Sequence, residues 1–275
     1  MHMRYLAPKT LDEAIAEIAA GGVPLAGGTV LVPEISRSAI ESRTFVDLRR
    51  IATLHEVVLQ NDHLHLGAMA TLAHLARHHQ VLTSYTAVAR AAAMVGNPQV
   101  RRVATVGGNL ALGLPVADMP PALLVLDAQV TQLGSQGSTT QPVADFFVNA
   151  SPRQGLIISV QVPRAEGRRS NFIKFAWRQS SGKTIVNVAV SLRLENGVIA
   201  APRVATGGLS LRATRLPATE SMIDGQQWQE SLIVAAAHTA AEEVACEVES
   251  SPGEAYRRRL VRVGVQRLLM EVGEA

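Results

Sequence analysis

The sequence predicts an α+β protein, and three observations predict it. Strand-like and helix-like stretches mix in both halves of the chain. Val186, Val188, Val190, Leu192 and Leu194 alternate with Asn187, Ala189, Ser191 and Arg193, the period of a half-buried strand, and Asn196-Gly197 then supplies a hairpin turn. The last 55 residues carry helical periodicity over 231–248 and 254–272.

From the N-terminus, Thr10 and Glu13 form a capping box. The helix they start carries Leu11, Ala14, Ile15, Ile18 and Ala19 on one face and stops at Gly21-Gly22. A short strand-like piece over 23–26 runs into Gly27-Gly28, and 44–48 reads as another strand. Residues 57–59 and 63–66 bracket Asn61-Asp62 as a hairpin. Thr71 caps a helix through His79, and Ser84 caps another to about Val95. The middle is rich in loops. Asp118 with Pro120 and Pro121 marks a helix start, the carboxylate as cap and proline in the first turn. Residues 128–133 and 156–162 read as strands, with the polar stretch 134–141 between them. The segment PRAEGRRS, 163–170, is the candidate domain boundary.

Composition excludes several classes. With 47% hydrophobic and 18% charged residues the chain is neither disordered nor fibrous. One cysteine, Cys246, leaves no disulfide framework, no cysteine zinc site and no self-contained iron–sulfur cluster. The net charge is only +3, the arginines are dispersed apart from Arg257, Arg258 and Arg259 on what reads as a solvated helix face, and aromatics are 4%, so nucleic-acid binding is not expected. No apolar run approaches the roughly 18 residues of a membrane span. The first residues lack a hydrophobic signal core, and a cytoplasmic protein is expected. His74 and His78 have the spacing of a zinc pair on one helix, but lack the glutamate and a third ligand, so no metal site is expected. Cys246 reads as a buried thiol on a helix, and Ser210 and Ser221 fit no nucleophile elbow. No acid–base or nucleophile set emerges; hard chemistry here would be a cofactor's.

The informative features are Ala26-Gly27-Gly28-Thr29 and Thr105-Val106-Gly107-Gly108-Asn109. Paired glycines permit positive φ and close approach of a ligand to backbone amides, and successive amides can form an anion nest. Two ordinary tight turns would look the same. Asp118, nine residues after Asn109, reads as an N-cap or as an acceptor for polyol hydroxyls.

These residues carry a resemblance. PLAGGTVLVPEI, ATVGGNLALGLPVADMPPALLVLDA, IISVQVP and NFIKFAWR resemble the FAD-binding medium subunits of molybdenum hydroxylases, the xanthine dehydrogenase and carbon monoxide dehydrogenase family. APRVATGGLSLRATRLPATESMIDG and EAYRRRLVRVGVQRLL are similar to the family's C-terminal domain. The resemblance implies a two-lobed FAD-binding domain of the vanillyl-alcohol-oxidase type over residues 1–165, split near 55, and a smaller α+β domain over 168–275. It implies non-covalent FAD. Pro24, Leu25, Ala26, Gly27, Gly28, Thr29, Val30 and Leu31 would wrap the diphosphate. Thr105, Val106, Gly107, Gly108 and Asn109 would lie along the diphosphate and ribityl chain, and Asp118 would bind the ribityl or diphosphate region. Ile157, Val95 and Lys174 would line the flavin ring. The implied role is electron transfer from iron–sulfur clusters in a small partner subunit to NAD or another acceptor, with a large molybdopterin subunit completing the complex. A stand-alone flavoenzyme acting on a small organic substrate, and a scaffold subunit without flavin, remain the alternatives.

Overall fold

A computed structural model of the chain describes residues 3–37, 43–60, 62–149, 155–178, 182–248 and 252–274. Strand β1 (Met3–Leu6) leads to helix α1 (Leu11–Ala19). Thr10 Oγ1 accepts from the Glu13 amide at 3.2 Å, while the Glu13 carboxylate reaches back to the Lys9 amide at 2.8 Å. Gly21, at φ +95°, turns the chain off the helix. Strand β2 (Val23–Leu25), helix α2 (Leu31–Arg37) and strand β3 (Arg43–Asp47) follow, and β1, β3 and β2 form a parallel three-stranded sheet.

Strands β4 (Val57–Gln60) and β5 (His63–Gly67) form the expected hairpin, with Asp62 in the left-handed region; Asn61 lies outside the described residues. The single helix expected over 71–79 is two: α3 (Leu72–Leu75) and α4 (His79–Ser84), separated by His78 in extended backbone. Ser84 closes α4 instead of capping α5 (Thr86–Met94), which starts at the buried Tyr85 without a side-chain cap. Helices α6 (Pro98–Val103), α7 (Val106–Ala111) and α8 (Met119–Leu124) follow. Strand β6 (Gln129–Gly134) then pairs with β7 (Gly137–Pro142), inside the polar stretch read only as a spacer. Helix α9 (Val143–Asn149) leads to β8 (Leu156–Pro163), and the second sheet has the order β4-β5-β8-β6-β7.

Strands β9 (Arg168–Ala176), β10 (Thr184–Glu195), β11 (Val198–Gly207) and β12 (Thr214–Arg215) make an antiparallel sheet. The β10–β11 turn places Asn196 and Gly197 at φ +54° and +81°, the mirror-image turn that an Asn-Gly pair favours. Helices α10 (Pro217–Ile223), α11 (Glu230–Glu243) and α12 (Glu254–Glu274) complete the chain.

The chain folds into two compact units. One comprises Met1–His74, Pro98–Leu112 and Gln129–Val162; the other comprises Leu75–Asn97, Gly113–Ala128 and Pro163–Ala275. Each unit gathers three separate segments, and the last passage between them falls at Pro163, inside the segment read as a boundary. In the first unit Ala14, Val46, Ile51, Leu54, Met69 and Leu156 form a buried cluster. In the second, Val186, Val188 and Val190 pack with Ile233, Val261 and Leu268. Gly264 of α12 admits this contact, since a Cβ there would stand 2.9 Å from Val188 Cγ2.

Four expectations are corrected here. Strand β10 is covered on both faces, not one: Asn187, Ala189 and Ser191 are fully buried. Helix α11 ends at Glu243, not 248, because the chain leaves to donate the Glu247 and Val248 amides to the Leu209 carbonyl. Cys246 therefore lies beyond the helix, half-buried against the core, and burial pushes its thiol pKa up. Arg257 is not solvated; it is buried, donating to the carbonyls of Gly208 and Val248 at 3.3 and 2.6 Å. Among the described residues no three His, Cys, Asp or Glu side chains group as metal ligands, and no helix is long and apolar enough to cross a membrane.

Candidate functional site

In the first unit the two double-glycine loops meet. The backbone at Gly27 lies so close to the Val103 carbonyl and Ala104 Cα that no side chain fits, and a Cβ at Gly108 would touch Ala26 Cβ at 3.5 Å. The loops differ in what their amides do. Gly28 turns at φ +67°, and the Gly28 and Val30 carbonyls accept from Val32 and Glu34 in α2. Among the described residues, the amides of Gly27, Gly28, Thr29 and Val30 donate to no protein acceptor. A row of unmet amides in a glycine turn suits an anion.

The second loop is the start of α7. Thr105 caps it, its Oγ1 accepting from the Gly108 amide at 3.1 Å. The Val106 amide donates to Ala70 O, Gly107 to Ala68 O and Asn109 to Thr105 O, so all four amides are satisfied. Gly107 and Gly108 are not at positive φ; that expected reason for the glycines is corrected. Gly107 is required by packing, since a Cβ there would stand 2.7 Å from Ala68 Cβ and 2.9 Å from Ala68 O. What the second loop offers instead is Asn109, whose Oδ1 is buried without a hydrogen-bond partner among the described residues. Ile157 is buried in β8, and Ala68 links that strand to the loop, donating to Ile158 O at 2.9 Å while accepting from Gly107.

In the second unit Asp118 and Lys174 come together. Lys174 Nζ donates to Asp118 Oδ2 at 2.6 Å and to Met94 O at 3.1 Å, beside Val95 at the end of α5. Both side chains are more than nine-tenths buried. Asp118 occupies the N-cap position of α8 but caps nothing; its Oδ1 accepts from Thr184 Oγ1 at 2.9 Å and Asn187 Nδ2 at 3.0 Å. The helix instead relies on Pro120 and Pro121 in its first turn. Lys174 and Asn187 face each other across β9 and β10. Thr184 and Asn187 escape sequence reading: the first sits beyond a bulge, and the second falls on the side of β10 that alternation assigns to solvent.

Comparison with known proteins defines the class. Residues 1–165 match the family described as the FAD binding domain in molybdopterin dehydrogenase, and residues 171–272 match the CO dehydrogenase flavoprotein C-terminal domain. The chain belongs to this family of FAD-binding subunits of the molybdenum hydroxylases. It is 24% identical to the glyceraldehyde dehydrogenase medium chain of Sulfolobus acidocaldarius, over 98% of this chain and 97% of that one. It is 26% identical to the nicotine 6-hydroxylase medium subunit of Paenarthrobacter nicotinovorans, with the same shares covered. Among solved structures, it is similar to a chain of the carbon monoxide dehydrogenase of Hydrogenophaga pseudoflava, at TM-score 0.91 and 25% identity, covering 99% of this chain and 97% of that one.

The residues fit the cofactor that the family binds. A flavin dinucleotide brings diphosphate acceptors and hydroxyl donors. Among the described residues, the first loop has donors without acceptors, and Asn109 has an acceptor without a donor.

Proposed function

We propose that this chain is the flavin-bearing electron-transfer subunit of a molybdenum-containing hydroxylase or dehydrogenase. Electrons arrive from iron–sulfur clusters in a small partner subunit and leave to NAD or another acceptor; a large molybdopterin subunit carries the site of substrate oxidation. The observation that carries this reading is the match to both family domains in a chain with one cysteine, where a plant-type iron–sulfur cluster takes four thiolates. Relatives named as a medium chain, a medium subunit and a subunit of a dehydrogenase complex support the partners.

In this reading residues 1–165 form the FAD-binding domain, in two lobes divided near residue 55, and 168–275 the C-terminal domain. FAD is held non-covalently and supplies reversible electron uptake that no side chain here provides. The amides of Gly27, Gly28, Thr29 and Val30 bind the diphosphate, with Pro24, Leu25, Ala26 and Leu31 shaping the turn. Thr105, Val106, Gly107 and Gly108 form the floor that the first loop rests on, and Asn109 accepts from a hydroxyl of the cofactor. Ile157 and Val95 exclude water, and Lys174 holds a positive charge where negative charge develops.

The test is anaerobic stopped-flow absorbance of the FAD-loaded chain. The flavin band should bleach with reduced iron–sulfur partner, with NADH as a further donor if NAD is the acceptor. It should stay unchanged with aldehydes or N-heterocycles alone. Rapid bleaching by such a substrate without partners would favour the stand-alone flavoenzyme.

A further inference from the structure

We infer that Thr184 and Asn187 are positioning residues for Lys174, acting through Asp118. The inference rests on the reading of Lys174 as the charge beside the flavin.

Asp118 is the centre of a buried array. One carboxylate oxygen takes the Lys174 ammonium, and the other takes two neutral donors from β10. A carboxylate bound on one oxygen alone can rotate about its Cβ–Cγ bond. Bound on both, its plane is fixed, and so is the direction in which it pulls Lys174. The ammonium has three N–H bonds. Two are directed, at Asp118 Oδ2 and Met94 O, so the third has one orientation left to it.

Two details show that the donors are built in. Thr184 and Asn187 are three residues apart, and a regular strand would send them to opposite faces. The register of β10 against β9 slips between Thr184 and Val186, which makes Ile185 an extra residue and returns Thr184 to the side of Asn187. Asn187, fully buried, donates from Nδ2 to both Asp118 Oδ1 and Ala117 O, while its Oδ1 has no partner among the described residues. Turning the amide over would set its oxygen against two acceptors, so its orientation is determined. Gly207 leaves the room for it, since a Cβ there would stand 2.5 Å from Asn187 Oδ1.

The experiment measures the midpoint potential of bound FAD in the full-length chain by reductive titration against a reference dye, with melting temperature alongside. Lys174→Gln should lower the potential, because a positive charge favours the reduced, more negative cofactor. Thr184→Val should lower it in the same direction by a smaller amount, Thr184→Ala likewise, and Thr184→Ser should keep the wild-type value. Thr184→Ala stands in if Thr184→Val fails to fold. If Lys174→Gln shifts the potential but neither Thr184→Val nor Thr184→Ala does, the positioning role is overturned and the Lys174 reading stands. A lowered melting temperature at unchanged potential would mean the same. If Lys174→Gln leaves the potential at the wild-type value, the Lys174 reading fails and the inference with it.

Discussion

At the first double-glycine loop the chain turns through a left-handed Gly28 and leaves the amides of residues 27–30 without an acceptor among the described residues. At the second, every amide from Val106 to Asn109 is already bonded within the protein, and Gly107 is small because Ala68 occupies the space its side chain would need. The two look alike as sequence. In one, Gly27 packs on the Val103 carbonyl and the left-handed Gly28 turns the chain so that the amides stay unbonded among the described residues; in the other, Gly107 lets a helix start press against a strand end. A double glycine therefore reports close approach of something to the backbone, and only the hydrogen-bond ledger says whether that something is ligand or protein.

The same distinction orders the expected effects of mutation. The largest should be at Asp118, where both carboxylate oxygens are bonded within the protein. Asp118→Ala strands a buried ammonium and should cost about 3–5 kcal/mol, read from the urea midpoint of the flavin-free chain. Gly107→Val comes next. Its new side chain meets backbone that cannot move aside, so stability should fall by about 1–3 kcal/mol without flavin present, and loss of flavin should only follow loss of fold. Undiminished stability with flavin lost would break the comparison by making the second loop ligand-facing after all.

The smallest effect is acid sensitivity at the base of the first loop. Asp47, paired with Leu25 across β3 and β2, accepts from the Tyr5 hydroxyl and from Arg49. Burial alone would raise its carboxyl pKa, but the Arg49 and Tyr5 hydrogen bonds outweigh it and hold the group below the usual carboxylate range. A depressed folded pKa stabilises fully above the unfolded value and is lost as pH falls through the folded one. The urea midpoint should therefore drop less between pH 7 and pH 3 in Asp47→Asn than in wild type.

Much of this was legible in the sequence. The Asn196-Gly197 hairpin, the Thr10 cap, the long C-terminal helix and the adjoining motifs of both family domains follow from local chemistry or from distinctive residue strings. What was not legible is tertiary. Strand β7 carries Ser138, Thr139 and Thr140 on an exposed edge, so no apolar alternation marks it. The Asp118 side chain reads as a cap because capping is the local use of an aspartate before proline; its real partners lie 56 to 69 residues away. Asn187 reads as solvent-facing because nothing in β10 itself tells that α8 covers that side.

If the proposed function holds, the first loop recognises a diphosphate through the amides of Gly27, Gly28, Thr29 and Val30. This recognition is tested most directly by calorimetric titration of FAD and of riboflavin, which lacks the diphosphate, into wild type and Gly28→Ala. Alanine at φ +67° is strained and its Cβ would press on Val32 Cγ2 at 2.9 Å, so the turn that aligns the amides should be lost. One FAD should bind per wild-type chain, far more tightly than riboflavin, with that advantage collapsing in Gly28→Ala while riboflavin binding changes little. Equal affinity of wild type for the two ligands, or an undiminished preference for FAD in Gly28→Ala, would contradict this recognition.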